Sequence, residues 1–422
     1  MNQMPSNLPP SSFSITSANA LRIFASFAAG YFLSYALRSV NAALAPMLAS
    51  DLSLSAAELG WLSSAFFLSF SVMQVPLGIW LDRYGARRTE SALLVIAAIG
   101  AVIVSIGQSL WSISIGRILI GIGVSACLMA PYAYFRRTFP TSQQAQLAMW
   151  MLIAGTSGAL FATQPALSLA EWIGWRNFFV FAAVLLATVA AAIYFLAGDN
   201  DLQASAPTTS TSQPEGFISL LLHPIMFRVV PTTIFFAGGF AAFQSLWAGP
   251  WMTEVLGMSP IEASEKLLYF NSMLLVSYVA MSFVSPKLEK RGIPLASQSV
   301  GAFFWFLMCG TIMLLWRDYS SWVMWLVFAP GVPAVILMQT QTALLYPKHM
   351  AGRVLTTFNL VMFAGVFIIQ WGVGLLTDLF KFFGLNSRNA LTGAFLCLVI
   401  CKVFSLIFYF KAKPSSSDNL AA

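Results

Sequence analysis

The stretch Gly78-Ile-Trp-Leu-Asp82-Arg83-Tyr-Gly85-Ala-Arg87-Arg88 is a short charged interruption between two long apolar runs, and it recurs. At an offset of 207 positions, Ser285-Pro-Lys-Leu-Glu289-Lys290-Arg-Gly292 stands between two further apolar runs, so that Asp82 meets Glu289, Arg83 meets Lys290 and Gly85 meets Gly292. The same offset lays Phe139-Pro140 on Tyr346-Pro347 and Gly158 on Gly365. Separate matches at one offset, in equivalent places between apolar runs, are hard to attribute to chance. They read as a parallel duplication of one unit, an arrangement recurrent among membrane carriers.

Working outward, the runs themselves have the length of membrane spans. A helix needs about 20 apolar residues to cross roughly 30 Å of hydrocarbon. Twelve stretches qualify: 21–45, 58–79, 90–110, 112–135, 145–168, 177–197, 226–252, 266–284, 295–316, 320–345, 354–377 and 389–411. They are continuous rather than alternating, which excludes a β-barrel. The expected fold is an all-α membrane protein of twelve transmembrane helices in two duplicated six-helix halves, residues 21–197 and 226–411. A polar segment at 198–225 reads as a cytoplasmic linker, with tails at 1–20 and 412–422. Composition agrees: 58% of the 422 residues are hydrophobic and 9% charged, against about 25% charged in soluble domains. A soluble enzyme is thereby excluded, and the lipid bilayer is the expected surrounding.

The net charge of +7 does not indicate a nucleic-acid partner, because the basic residues lie in short bursts rather than on one wet face. With both termini cytoplasmic, fourteen of the 22 Lys and Arg fall on the cytoplasmic side, five on the other and three within spans. That bias supports this orientation, in the inner (plasma) membrane. Cys127, Cys309, Cys397 and Cys401 all sit in apolar runs, so neither a disulfide framework nor a metal site is expected. The first 20 residues lack the apolar core and cleavage site of a signal peptide. No phosphate-binding G-x-x-x-x-G-K-[ST] loop is present, and no cofactor is called for.

On these residues the chain resembles the major facilitator superfamily. Gly78 to Arg88 is similar to that family's loop motif G-x-L-x-D-R-x-G-x-[KR]-[KR], with Trp80 in place of Leu. Arg117-Ile-Leu-Ile-Gly121-Ile-Gly123 and Gly174-Trp-Arg176 resemble further family segments. The resemblance implies alternating-access transport rather than enzymatic catalysis. It also implies a charged latch holding the halves together on the cytoplasmic face while the cavity opens outward. The latch residues would be Gly78, Asp82, Arg83, Gly85, Arg87 and Arg136 in the first half, with Glu289, Lys290, Gly292 and Arg353 in the second. Asp82 is suited to the exposed amides at the start of helix eleven, where a helix dipole favours an anion.

Charge within a span is a functional signal by default. Arg38 lies about 25 Å along helix one, at 1.5 Å per residue, and Arg117 about 8 Å inside the outer end of helix four, so both reach similar depths. Tyr31 and Tyr35 share the face of Arg38, with Asn41 a turn beyond. Tyr35-Ala-Leu-Arg38-Ser-Val-Asn41, followed by Ala45-Pro46, also looks like helix one of organic-anion members of the family. A guanidinium offers paired donors to a carboxylate or phosphate. From helix seven, Gln244 and Trp247 supply an amide and an aromatic platform, while Trp251 reads as interfacial belt. The fifteen acids are expected in tails, loops or span ends, including Glu58, Glu90 and Glu254. Two widely separated histidines, His223 and His349, offer no catalytic cluster.

The expectation is a monomeric secondary transporter of a small polar, anionic organic solute, with a proton or counter-anion as the open question of coupling. A drug or metabolite exporter is the first alternative, weakened because helix five lacks a dense glycine pattern. A non-transporting membrane sensor is a remote one, lacking any added signalling domain in the sequence.

Overall fold

The computed structural model describes residues 18–139, 141–197, 217–346 and 351–412. The latch side chains of Asp82 and Arg353, the loop residues Pro140 and Pro347, and the linker 198–216 lie outside the described set.

Twelve crossings follow one another. α1 (Ala18–Ser39) breaks at Val40 and continues as Asn41–Leu52, seven residues beyond the run read from sequence, with Pro46 inside the second piece. α2 (Ala56–Leu81) and α3 (Arg83–Ile106) follow. α4 is Leu110–Gly123 and Met129–Thr138, separated by a turn. α5 is Thr141–Phe161 and Gln164–Ile173, bent by 50°. α6 is Trp175–Leu196, α7 Pro224–Val255, α8 Pro260–Lys290, α9 Leu295–Leu315 and α10 Tyr319–Leu344. α11 (Ala351–Phe382) and α12 (Ser387–Lys411) complete the set. Ten of these are long and apolar enough to cross alone and the bent α5 makes an eleventh; the interrupted α4 is the twelfth. Alternating crossings place the start of α1 and the end of α12 on one face, here the terminal face, opposite the far face. Part of the expected linker is helical, as Phe217–Leu222.

The duplication is visible in backbone geometry. α2 and α3 are joined without a loop: Gly85 alone breaks the helix, at φ 76°, ψ 167°. Its counterpart Gly292 has φ +84°. It ends α8 with its N–H donating to the Glu289 carbonyl (2.9 Å) and the next N–H donating to that of Leu288 (2.9 Å), a left-handed helix cap. The backbone region of Gly85 is open essentially to glycine alone, and other residues there cost of order 1–3 kcal/mol. Gly85→Ala should therefore lower the thermal midpoint of the purified protein by more than Gly78→Ala does. Gly78 sits in open space, with nothing within 4 Å of an added Cβ.

Gly158 and Gly365 also play matching parts. A Cβ at Gly158 would lie 2.2 Å from the Phe32 carbonyl oxygen of α1, and one at Gly365 2.9 Å from Ile234 Cα of α7. So α5 crosses α1, and α11 crosses α7, in backbone contact, as small residues permit between membrane helices.

The halves meet tightly at the far face. A Cβ at Gly249 (α7) would fall 2.0 Å from the Ala42 carbonyl oxygen, one at Gly60 (α2) 2.5 Å from that of Gln370, and one at Gly374 (α11) 2.4 Å from that of Ala56. The Asp378 carboxylate of α11 accepts from the Ala56 and Ala57 N–H groups at 3.1 and 2.7 Å. It thus caps the start of α2, where unpaired amides and the helix dipole favour a negative charge.

Nearby, Asp51 accepts from Arg176 at 2.5 Å and from the Trp175 indole at 3.2 Å, joining the end of the α1 extension to α6. The Arg176 hydrogen bond, with Trp175 assisting, holds the Asp51 carboxyl below its usual range. A lowered carboxylate pKa contributes stability above the ordinary carboxylate range and loses it as pH falls through the lowered value. Asp51→Asn should thus melt slightly below the unmodified protein at neutral pH, and the two should converge in acid. A gap unchanged by pH would contradict this assignment.

Candidate functional site

The site begins where two helices fail to be regular. Irregular backbone at membrane depth persists only where protein buries it or a cavity solvates it. In α4 the turn at 124–128 releases carbonyl groups: Ser34 Oγ donates to the Val124 oxygen at 3.3 Å and Gln74 Nε2 to that of Ser125 at 3.4 Å. Ser34, Gln74, Val124 and Ser125 all line a cavity of about 150 Å³. Its other walls come from Tyr31, Tyr35 and Arg38 of α1, Phe70 of α2, Leu128 and Met129 beyond the break, and Asn359, Met362 and Phe363 of α11. Main-chain contact between the halves closes the bundle on the far-face side of this cavity.

Arg38 is the cavity's cation. Its guanidinium carbon stands 4.3 Å from the Tyr35 ring centroid, 5.3 Å from Phe70 and 5.5 Å from Phe363. Aromatic faces stabilise a cation without neutralising it. Nε is buried and makes no hydrogen bond, and no acidic side chain among the described residues pairs with Arg38. It is therefore a positive charge held by rings and left without an anion. Tyr31, edge-on to Tyr35 with centroids 5.0 Å apart, supplies a second phenol on the same wall.

Of the six candidate binding residues, the structure brings Arg38 and Tyr35 into the cavity and places the other four elsewhere. Arg117 is buried in the first half, where Nη1 donates to the Leu37 carbonyl oxygen at 3.2 Å beside the break in α1; its guanidinium serves that chain break. Asn41 donates to Ser63 Oγ at 2.8 Å, tying α1 to α2. Gln244 donates to Asn271 Oδ1 at 2.7 Å, and the Trp247 indole to the Gln370 carbonyl oxygen at 3.1 Å. Each of these residues thus donates to a neighbouring helix, while Arg117 Nε and Nη2 and Asn41 Oδ1 stay buried without a partner. Trp251 is buried against Phe395, centroids 5.1 Å apart, rather than in an interfacial belt. The α11 wall was not foreseen: no charge marks Asn359 or Phe363 in sequence.

Of the latch, Arg83, Arg136, Glu289 and Lys290 are exposed. Arg87 donates to the Tyr194 carbonyl oxygen at 3.1 Å, tying α3 to α6 within the first half.

Glu90 departs from expectation. The sequence reading began helix three at residue 90, which put the acid at an interface; α3 begins at Arg83 and runs as regular helix from the Gly85 break onward, so Glu90 is already inside the bundle, with no exposed surface. Lys402 is buried in α12, its ammonium 5.8 and 5.6 Å from the Phe236 and Phe306 centroids.

The Major Facilitator Superfamily profile matches residues 27–370, most of the chain. The chain belongs to the major facilitator superfamily. Superfamily members are transporters, not enzymes, and this one is a multi-pass membrane protein. Among curated relatives, a hexuronate transporter of Bacillus subtilis (strain 168) is 29% identical over 115 residues, 27% of each chain. Multidrug resistance protein 2 of the same organism is 23% identical over 270 residues, 62% of this chain and 67% of that one. The matched stretches thus span about a quarter and two thirds of those relatives' lengths. A bacterial homologue of the human lysosomal transporter Spinster, solved inward-facing and unoccupied, superposes with a TM-score of 0.77 at 17% identity, covering 96% of this chain and 98% of the other. That likeness concerns the superfamily fold.

Proposed function

We propose that this superfamily member is a secondary carrier of a small polar organic anion, working by alternating access across the inner membrane as a monomer. The observation that carries the reading is Arg38: a guanidinium without an anionic partner, caged by three aromatic rings, beside phenol, hydroxyl and amide groups in a cavity between the two halves. A carboxylate would complete paired, charge-assisted hydrogen bonds there, while the rings suit the non-polar face of a sugar acid or similar solute. The hexuronate-transporting relative points the same way. With both termini cytoplasmic, as the distribution of basic residues favours, the terminal face is the inner one and the state described is closed to the outside.

The multidrug relative keeps efflux as the rival reading, but an unpaired arginine repels cationic drugs. The discriminating measurement is a thermal-shift screen of the purified protein against D-glucuronate, other organic acids, phosphates, neutral sugars and lipophilic cations. Stabilisation by an acid is expected. Stabilisation by lipophilic cations alone would overturn the anion reading.

A further inference from the structure

Glu90 stands on α3 four residues after Ala86, about 6 Å along the helix at 1.5 Å per residue, beyond the break at Gly85, and has no exposed surface. Neither carboxyl oxygen makes a hydrogen bond. The groups beside it are Gly30 from α1 and Cys127 from the break in α4, with Val189 of α6 and Leu94 of α3 closing the space around Gly30. Cys127 is the one titratable group among them, its thiol neighbouring the carboxyl. No Lys, Arg or His among the described residues offsets the carboxyl. Gly30 creates the space: a Cβ there would lie 2.9 Å from Oε1. An isolated carboxylate in such surroundings is strongly disfavoured.

Its position relative to the cavity gives this burial a use. Gly30 immediately precedes Tyr31 and Cys127 immediately precedes Leu128, both cavity-lining. Two of the surfaces that seal Glu90 therefore belong to the elements that line the cavity, one of them the non-helical turn of α4. A shift of α1 against that turn would wet the carboxyl and let it ionise.

We infer that Glu90 is a proton-binding site of the transport cycle, loaded in the state described here and emptied to water when α1 and the α4 turn separate. The step is a reversible transfer of one proton between the Glu90 carboxyl and cavity water, with no other bond changed. The inference rests on the transporter reading, and its test separates the two.

The full chain is reconstituted in liposomes with D-glucuronate as probe, and two things are measured: counterflow without a pH gradient, and accumulation driven by an imposed one. Glu90→Gln, near-isosteric and permanently neutral, is expected to retain counterflow and lose gradient-driven accumulation. Accumulation equal to that of the unmodified protein would overturn the inference. Should the unmodified protein show no counterflow, the probe or the anion reading fails, and infrared spectroscopy decides on Glu90 independently. A protonated-carboxyl C=O band absent from Glu90→Gln is expected in the unmodified protein, disappearing as the medium is taken from neutral to alkaline. A band missing at neutral pH, or one that never titrates, would overturn the inference. If Glu90→Gln cannot be recovered folded, Glu90→Asp, which withdraws the acid by one methylene, is expected to displace the titration of that band. An unmoved titration would count against Glu90.

Discussion

Replacing Arg38 by alanine is expected to abolish the thermal stabilisation conferred by an organic acid and to reduce its counterflow by roughly 10- to 100-fold. The magnitude follows from the loss of a hydrogen bond to a charged partner, about 1.5–3 kcal/mol, at tenfold per 1.4 kcal/mol. The fold itself should tolerate the change, because the guanidinium neither forms an ion pair nor uses its buried Nε in a hydrogen bond. Arg38→Lys keeps the charge but forfeits the planar face that stacks on Tyr35, 4.3 Å away, and the paired donors; an intermediate loss is expected. Acid binding unchanged in Arg38→Ala would remove the arginine from the site. The same logic predicts little change in acid binding for Gln244→Ala, whose amide is engaged with Asn271.

The second large effect should come from a single methyl group. In Gly249→Ala the new Cβ would sit 2.0 Å from the Ala42 carbonyl oxygen, and that neighbour is main chain, which cannot swing aside. The halves must part at the far face or the helices must bend. A bias of about 3 kcal/mol is enough to bring a 99:1 population near parity, and a clash of this depth exceeds it. Spin labels at Gln108→Cys and Leu385→Cys, on far-face loops of opposite halves, should report a longer distance in Gly249→Ala by pulsed electron resonance. A folded variant with the unmodified distance would mean that α1 and α7 do not form the closure. Gly374→Ala, 2.4 Å from the Ala56 oxygen, provides the same test on α2 and α11.

Much of the architecture could be read before any coordinates because it is written in periodic or repeated residues. The offset of 207 places Gly85 with Gly292 and Gly158 with Gly365, and each pair has matching backbone work to do. Arg38 and Tyr35 were legible as a charge and a phenol on one helical face. Arg117, Asn41, Gln244 and Trp247 stand outside the cavity lining, each with a protein partner, for a shared reason. A polar residue in a span advertises the need for a partner, yet the partner stands on another helix, and spacing along one chain cannot say whether it is protein or solute. Glu90 was misplaced because a glycine that breaks a helix without a loop shortens the apparent connection, moving every later residue deeper. One signal went unused: Ser55-Ala-Ala-Glu58 and Ser259-Pro-Ile-Glu262 both form reciprocal caps, at the starts of α2 and α8, and S-x-x-E is recognisable from sequence.

The contact of Gly249 with Ala42, and of Gly60 and Gly374 with their opposing carbonyl groups, has a meaning for the resting carrier. A stopper made of main chain pressed on main chain holds by shape. It has no counterion cloud for salt to thin and no acidic proton for the medium to take away. Apart from the Asp378 carboxylate at its edge, the far-face plug is therefore indifferent to swings in salinity and acidity on that side, and leakage past an idle carrier should stay constant across them.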